Sequence, residues 1–443
     1  MTNKIKQIIL FAGDIIILYL TLYFTLLIRY LEQPTINDWQ THFGPFTWVF
    51  IFWLIIFYIS DLYNLHLAVN NARFFKLTVR SEIIAGALSA VFFYVNPNIN
   101  IAPKTNLIIY LIIFFILFTL WRRFFNYLLH TQLPKNNILI IGSNNQVQEI
   151  ITLTQEKPHL GYFVTDVIDT RDESEIGSLK SKIKNQKINT IILASNPRES
   201  SSLRSELFSC LPLNIKIMNL PNFYEEVTGK IPIEAINQMW FLENLSQGKK
   251  IGFDALKRIY DFALAIIIFV ITLPFWFIIA CLIKLESKGP VFYLSIRTGR
   301  NNKNFKLIKF RTMREDNNDR TLTRANDPRI TKFGSIMRKT RIDEIPQVIN
   351  VLKGQVSFVG PRPERPELIQ ELERVVPFYN ERLLVKPGLT GWDQVSGEYH
   401  SPSVEDTLKK IQYDLFYIKN RTIYLDLSII LKTIATVLSR GGV

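Results

Sequence analysis

The sequence predicts a membrane protein of mixed class, α-helical in the bilayer and α/β outside it. Four N-terminal transmembrane helices occupy 1–130, a parallel α/β domain 136–245, and a C-terminal domain 253–443 that enters the membrane through one re-entrant helix at 257–285. Four apolar stretches fill the first quarter of the chain. Apolar strand-like runs then alternate with polar helical segments, the pattern of a small parallel sheet. Finally, Phe262 to Ile283 holds no charged residue yet has cations at both ends. At 443 residues there is room for two or three domains, and 48% hydrophobic residues alongside 20% charged ones suit a membrane protein with a large water-exposed part.

The first four helices are expected near 7–28, 43–60, 79–96 and 105–121. Lys4 and Lys6 precede the first without a small-residue cleavage site, so it reads as an uncleaved membrane segment. Asp14 interrupts it. An intramembrane carboxylate is a functional candidate, although a place near the interface or facing the helix bundle is the commoner outcome. Arg73, Lys76 and Arg80 lie between helices two and three, and Arg122, Arg123 and Lys135 follow helix four; the other loops are poor in cations. The N-terminus and all water-exposed parts are therefore expected in the cytoplasm.

From 136 the character changes. Asn137 to Gly142 reads as a buried strand ending at glycine, followed by a helix from Gln146 to about Gln155. Further apolar runs come at Tyr162–Ile168, Thr190–Ala194 and Ile215–Leu220. The result is a Rossmann-like α/β domain. The Gly142-Ser143-Asn144-Asn145 turn lacks the second and third glycines of a dinucleotide fingerprint, so a structural or regulatory role is expected ahead of cofactor binding.

The stretch 262–283 would span ~33 Å as a helix, enough to cross a bilayer. Lys249, Lys250, Lys257 and Arg258 precede it, and Lys284, Lys288, Arg297 and Arg300 follow it. One crossing should leave cations mainly on one side. Pro274 lacks an N–H and clashes with the preceding turn, so the expectation is a segment that turns back at Pro274 and leaves where it entered, with Trp276 and its Phe neighbours against lipid.

The net charge is +14, and from 297 to 341 fourteen Lys/Arg face four Asp/Glu. This excess sits directly behind the apolar segment, which favours lipid headgroups and phosphate over a nucleic acid. Cys210 and Cys281 are the two cysteines, which excludes a disulfide framework or a cysteine zinc site.

The candidate chemistry centres on Asp343-Glu344. Pro346 and Gly354 bracket a helix from Glu344 to Lys353, with Asp343 at or beside its N-cap. An N-cap Asp need do nothing more. Here Arg338, Lys339 and Arg341 surround it, however, and a helix N-terminus among cations attracts phosphate. Those cations should keep Asp343 ionised, and an ionised carboxylate can attack phosphorus. Glu344 could share a Mg²⁺ ion. In Gly360-Pro361-Arg362-Pro363 two prolines restrain one arginine, suited to bidentate phosphate contact. Lys309 to Met313 reads as a short strand with Lys309 and Arg311 on one face. Lys386-Pro387-Gly388 has a type II turn pattern, either a substrate loop or a structural corner. Asp414 lies in a helical stretch with aromatics read as core or interface anchors.

From Lys257 onward the chain resembles the bacterial sugar transferases, in the long form of the monotopic phosphoglycosyl transferases. The resemblance rests on Lys257-Arg258-Ile259-Tyr260-Asp261, Gly289-Pro290-Val291-Phe292, Lys309-Phe310-Arg311-Thr312-Met313, Asp327-Pro328-Arg329-Ile330-Thr331, Asp343-Glu344, Val359-Gly360-Pro361-Arg362-Pro363 and Lys386-Pro387-Gly388-Leu389-Thr390-Gly391-Trp392, in that order. It implies a catalytic C-terminal domain at the inner membrane of a bacterium. That domain would move hexose 1-phosphate from a UDP-sugar, UDP-glucose or UDP-galactose, to undecaprenyl phosphate and release UMP, starting exopolysaccharide, capsule or O-antigen synthesis. The implied roles are Asp343 as covalent nucleophile, Glu344 with Mg²⁺, Arg338 and Arg362 on phosphate, Asp414 as a functional acid and Pro274 at the re-entrant turn. Lys309 and Arg311 join the phosphate candidates, and Lys386 the substrate-site candidates. The expected partners are UDP-sugar, undecaprenyl phosphate and membrane lipid, without nucleic acid and with a homodimer as an open possibility. Arg341 replaces a frequent Ser, and Asp393 a usual Ala. The rivals are an oxidoreductase centred on 136–245 and a non-catalytic membrane scaffold.

Overall fold

A computed structural model describes residues 3–63, 72–96, 103–131, 136–156, 161–170, 173–195, 200–245, 250–314, 327–396 and 403–438. Lys135, Lys249 and the part of the basic stretch at 315–326 lie outside these. The chain forms two compact units, 1–223 and 224–443.

The first unit opens with α1 (Asn3–Tyr30), α2 (Ile36–Ile59), α3 (Ala72–Val95) and α4 (Pro103–Thr131), four apolar helices each long enough to cross a membrane. Their core is aromatic. Phe46, Phe50, Trp53 and Phe57 on α2 stack with Tyr110, Phe114 and Phe118 on α4, and Trp53 donates to Ser89 Oγ at 2.7 Å. Asp14 faces the bundle interior, where Arg122 Nη2 pairs with it at 2.6 Å and Trp121 Nε1 donates to its other oxygen at 3.1 Å. The second Arg122 fork donates to the Leu62 carbonyl. Both Asp14 oxygens are matched, so the intramembrane carboxylate acts as an interhelical clamp.

A parallel sheet of order β2-β1-β3-β4 follows, built from β1 (Asn136–Ile141), β2 (Tyr162–Ile168), β3 (Thr190–Leu193) and β4 (Lys216–Asn219). Between them run α5 (Asn145–Glu156), α6 (Glu173–Gly177), α7 (Leu179–Asn185) and α8 (Ser201–Ser209). The continuous burial of Ile138–Ile141 is what a central parallel strand requires. Gly142 adopts φ +100°, a conformation that strains any side chain, and a Cβ there would stand 3.1 Å from the Ser195 nitrogen. Asn144 Oδ1 accepts from the Val147 amide at 2.9 Å, so a side chain caps the α5 N-terminus.

Helix α9 (Leu220–Thr228) carries the chain into the second unit. Residues 231–245, grouped with the middle domain in the sequence, include α10 (Gln238–Asn244) and pack with Ile369, Leu372, Tyr379, Ile411 and Leu415 of that unit. Helix α11 (Ile251–Glu286) is 36 residues long. It stays helical through Pro274, where the sequence suggested a reversal. Both halves nevertheless meet the same unit. Before Pro274, Arg258 donates to the Val351 and Leu352 carbonyls and the Phe358 amide donates to Asp261. After it, Trp276 packs on Phe292 and Phe310, and Glu286 accepts from the Phe333 amide. The remaining face of α11, including Ile259, Val270, Ile271, Phe275 and Phe277, is exposed and apolar.

Beyond it come the hairpin β5 (Phe292–Thr298) and β6 (Asn304–Phe310), then α12 (Lys332–Lys339), α13 (Val348–Leu352), β7 (Ser357–Val359), α14 (Pro366–Val375), β8 (Gly388–Thr390), α15 (Trp392–Val395), α16 (Val404–Asn420) and α17 (Ile423–Leu438). β7 and β8 pair in parallel. Gly388 has no positive φ, so the expected type II turn is not what it serves. A Cβ there would lie 2.1 Å from the Gly360 nitrogen, and glycine is required because two backbones touch.

Candidate active site

Asp343 and Glu344 lie in a 3-10 turn, Ile342–Gln347, that precedes α13. The sequence placed Asp343 at the cap of an α-helix from 344. Instead Arg341 is the cap, in the left-handed region at φ 57°, and the carboxylates sit inside the tighter turn. A non-glycine residue held there is strained, and such strain gathers at functional positions. Gly354, at φ +75°, ends α13 with its amide on the Val351 carbonyl.

Three elements converge on this turn. Strand β6 brings Lys309, whose Nζ donates to Glu344 Oε1 at 2.7 Å. Its register is fixed by the fully buried Asn350, which accepts from the Ile308 amide and donates to the Lys306 carbonyl. The Gly360–Pro363 bend brings Arg362 Nη2 to 3.8 Å from Glu344, with the guanidinium side chain 38% exposed and so open to a ligand. Helix α12 brings Arg338, an electrostatic neighbour of Asp343 whose Nε donates to Thr312 Oγ1 at 2.8 Å. α12 approaches that closely because Gly334 has no side chain; a Cβ would stand 2.2 Å from the Thr312 carbonyl.

The two acids are driven apart. Burial opposes ionisation of Glu344, but Lys309, Arg362 and Arg341 overcome it and bring its pKa down to about 2. Asp343 moves up, first because it is buried and then because ionised Glu344 is adjacent; Lys309, Arg338 and Arg341 offset only part of this. The cations therefore act on Glu344 more strongly than on Asp343. Asp343 Oδ1 is buried with no hydrogen-bond partner among the described residues. It is an oxygen without a structural task, next to cations suited to phosphate.

Other candidates lie elsewhere. Strand β6 ends at Phe310, so Arg311 does not share the face of Lys309 at this turn. It donates to the Ser287 carbonyl and hydroxyl at the end of α11. Lys386 sits among Arg258, Asp261 and Arg300, and burial followed by Arg258 lowers its pKa. Asp414 is buried on α16, its Oδ2 2.9 Å from Arg382 Nη2. Burial raises its pKa to about 6, and Asp393 adds to the rise. Pro274 is on the membrane helix. Sequence reasoning missed Arg382, which donates to the Arg362 carbonyl at 2.9 Å and to Tyr379 Oη. It also missed Gly334 and Asn350, whose roles depend on partners far away in sequence.

The profile of the family described as "Bacterial sugar transferase" matches residues 253–440, which contain all of these groups. Over 350 residues the chain is 32% identical to a UDP-glucose:undecaprenyl-phosphate glucose-1-phosphate transferase of Xanthomonas campestris pv. campestris, covering 73% of this chain and 70% of that protein. The chain belongs to the bacterial sugar transferase family. A UDP-N-acetylgalactosamine-undecaprenyl-phosphate N-acetylgalactosaminephosphotransferase of Aeromonas hydrophila is 37% identical over 238 residues, 53% of this chain and 55% of that one. A UDP-glucose:undecaprenyl-phosphate glucose-1-phosphate transferase of Escherichia coli K12 is 40% identical over 182 residues, 40% of this chain and 39% of that one. This sugar transferase thus matches about half the length of the Aeromonas relative and less of the E. coli one.

Proposed function

We propose that this sugar transferase moves hexose 1-phosphate from a UDP-hexose to undecaprenyl phosphate, with Asp343 as covalent nucleophile. The observation that carries the reading is the unpartnered Asp343 oxygen beside an ionised Glu344 and the cations Lys309, Arg338 and Arg362. Ionised Asp343 attacks the phosphorus that bears the sugar. A carboxylate–phosphorus bond forms, the bond to the bridging oxygen breaks, and UMP leaves with that electron pair. An oxygen of undecaprenyl phosphate then attacks the same phosphorus, which frees the carboxylate and gives a lipid diphosphate sugar. Two steps at one centre give ping-pong kinetics. Arg362 and Arg338 orient the diphosphate and balance the charge that develops on its oxygens.

Mg²⁺ is part of this proposal. Among the described residues no group of three or more His, Cys, Asp or Glu forms a metal cage. One or two carboxylates beside a diphosphate is the donor set that Mg²⁺ prefers, and Glu344 with Asp343 fits it. When bound, the ion would neutralise diphosphate charge. Glucose is the proposed hexose, because the Xanthomonas and E. coli relatives are named for it while the Aeromonas relative is named for N-acetylgalactosamine. The cation-rich loops support a position at the cytoplasmic face of a bacterial inner membrane.

The test is UMP release from UDP-glucose, UDP-galactose and UDP-N-acetylgalactosamine, with polyprenyl phosphate and Mg²⁺ present. Asp343→Asn should abolish both UMP and lipid product. Normal UMP release by that variant would reject the covalent step, and release from a sugar other than glucose would reassign the hexose alone.

A further inference from the structure

Between α3 and α4 lies a cavity of about 320 Å³ lined by Ala72, Phe74, Phe75, Thr78, Thr119, Arg122 and Arg123. It belongs to the first unit, whereas the Asp343 turn belongs to the second. Its walls are mostly apolar by area and, among the described residues, hold two arginines and no carboxylate. Two polar atoms of its lining are buried without a hydrogen-bond partner among the described residues, Arg122 Nε and Thr119 Oγ1. Arg122 is 1% exposed and is fixed by Asp14 and the Leu62 carbonyl, which leaves its Nε–H rigidly presented and unmatched. An unmatched buried donor is costly, so a cavity holding two of them calls for an acceptor. Asp14 neutralises one guanidinium, and exposed Arg123 supplies the remaining charge. The cavity opens where the membrane span of α3 begins at Phe74 and near the end of that of α4, the end of the bundle that also carries Lys76 and Arg80. That is headgroup depth in the cation-rich, anionic leaflet.

We propose that this cavity binds the phosphodiester of an acidic phospholipid. Arg122 Nε–H, Thr119 Oγ–H and Arg123 meet the phosphate oxygens, and the first acyl carbons lie on Phe74 and Phe75. No neutral headgroup lipid satisfies the net charge, and no soluble phosphate uses the apolar wall.

The test is native mass spectrometry of the full chain released from nanodiscs containing equal phosphatidylglycerol and phosphatidylcholine, with a parallel melting curve. Wild type should retain phosphatidylglycerol about tenfold over phosphatidylcholine, as expected from one or two charge-assisted hydrogen bonds. It should also melt higher when phosphatidylglycerol is added. Arg123→Gln with Thr119→Val, neither of which touches the Asp14 clamp, should lose the preference and the thermal shift together. Equal retention of both lipids, or a preference unchanged in the double variant, overturns the proposal. A third nanodisc arm adds polyprenyl phosphate at a few mol per cent. If it displaces phosphatidylglycerol from wild type but not from the double variant, the cavity holds the acceptor lipid and the phospholipid assignment is wrong.

Discussion

Asp343 is the residue on which fold and reaction make opposite demands. Burial and the neighbouring Glu344 raise its pKa, so folding works against its ionised form. Below the unfolded value, about 3.9, both states are protonated and nothing is lost. As pH climbs through the folded value, stability falls by the work of ionising the buried group. Asp343→Asn keeps the shape and removes that work. It should therefore melt above wild type at neutral pH while being inactive, and the difference should vanish near about pH 4. The same shift predicts the acid limb of UMP release. Glu344, at about 2, stays ionised throughout, so one limb belongs to Asp343 and lies above the ordinary Asp range. In Glu344→Gln the like charge is gone, and the limb should move to lower pH even as the maximal rate drops. A limb that stays in place would separate the two carboxylates electrostatically. The pair was legible in the sequence because adjacent acids inside a cation cluster are unusual. Which acid the cations serve was not legible, since that depends on the 2.7 Å reach of Lys309 from another strand.

At the scale of elements, the site depends on a bend whose backbone is anchored on both sides. The Gly360 amide donates to Thr390, the Gly388 amide to the Pro361 carbonyl, Arg297 to the Pro363 carbonyl and Arg382 to the Arg362 carbonyl. The prolines announced a stiff loop in the sequence, but what fixes it comes from residues 20 or more positions away. Two variants separate packing from charge. Gly388→Ala puts a Cβ against the Gly360 nitrogen and should part β7 from β8, lowering both melting temperature and activity. Arg382→Lys keeps the buried charge opposite Asp414 but loses the fork that also holds the Arg362 carbonyl. Its expected signature is a several-fold rise in KM for the UDP-sugar with a small loss of stability. Asp414→Ala should instead destabilise by about 3–5 kcal/mol, because it strands a buried guanidinium. If Asp414→Ala changed kcat with no loss of melting temperature, Asp414 would touch substrate as the sequence suggested.

Across the whole molecule, α11 is 36 residues of helix, ~54 Å, and its exposed apolar face has no partner among the described residues. That exceeds the ~30 Å of a bilayer core. A crossing helix would leave its two ends in different compartments. Yet Arg258 and Asp261 before Pro274, and Glu286 after it, bond to the same unit. These contacts predict both ends on one side, with the exposed face of α11 in lipid. The sequence carries the same expectation through cations at each flank, but it also suggested a reversal at Pro274, where the helix instead continues. The cysteines allow a direct test. Cys210 is buried and Cys281 is exposed on α11. Cys281 in lipid should resist a charged maleimide in intact nanodiscs and react once the protein is in detergent. Gly252→Cys at the start of α11 and Lys288→Cys just beyond its end, both exposed, in a chain with both native cysteines replaced by Ser, should be labelled from the same face of oriented membrane vesicles. Labelling of the two positions from opposite faces would make α11 a true crossing, and would require the contacts on either side of Pro274 to break when the protein enters the membrane.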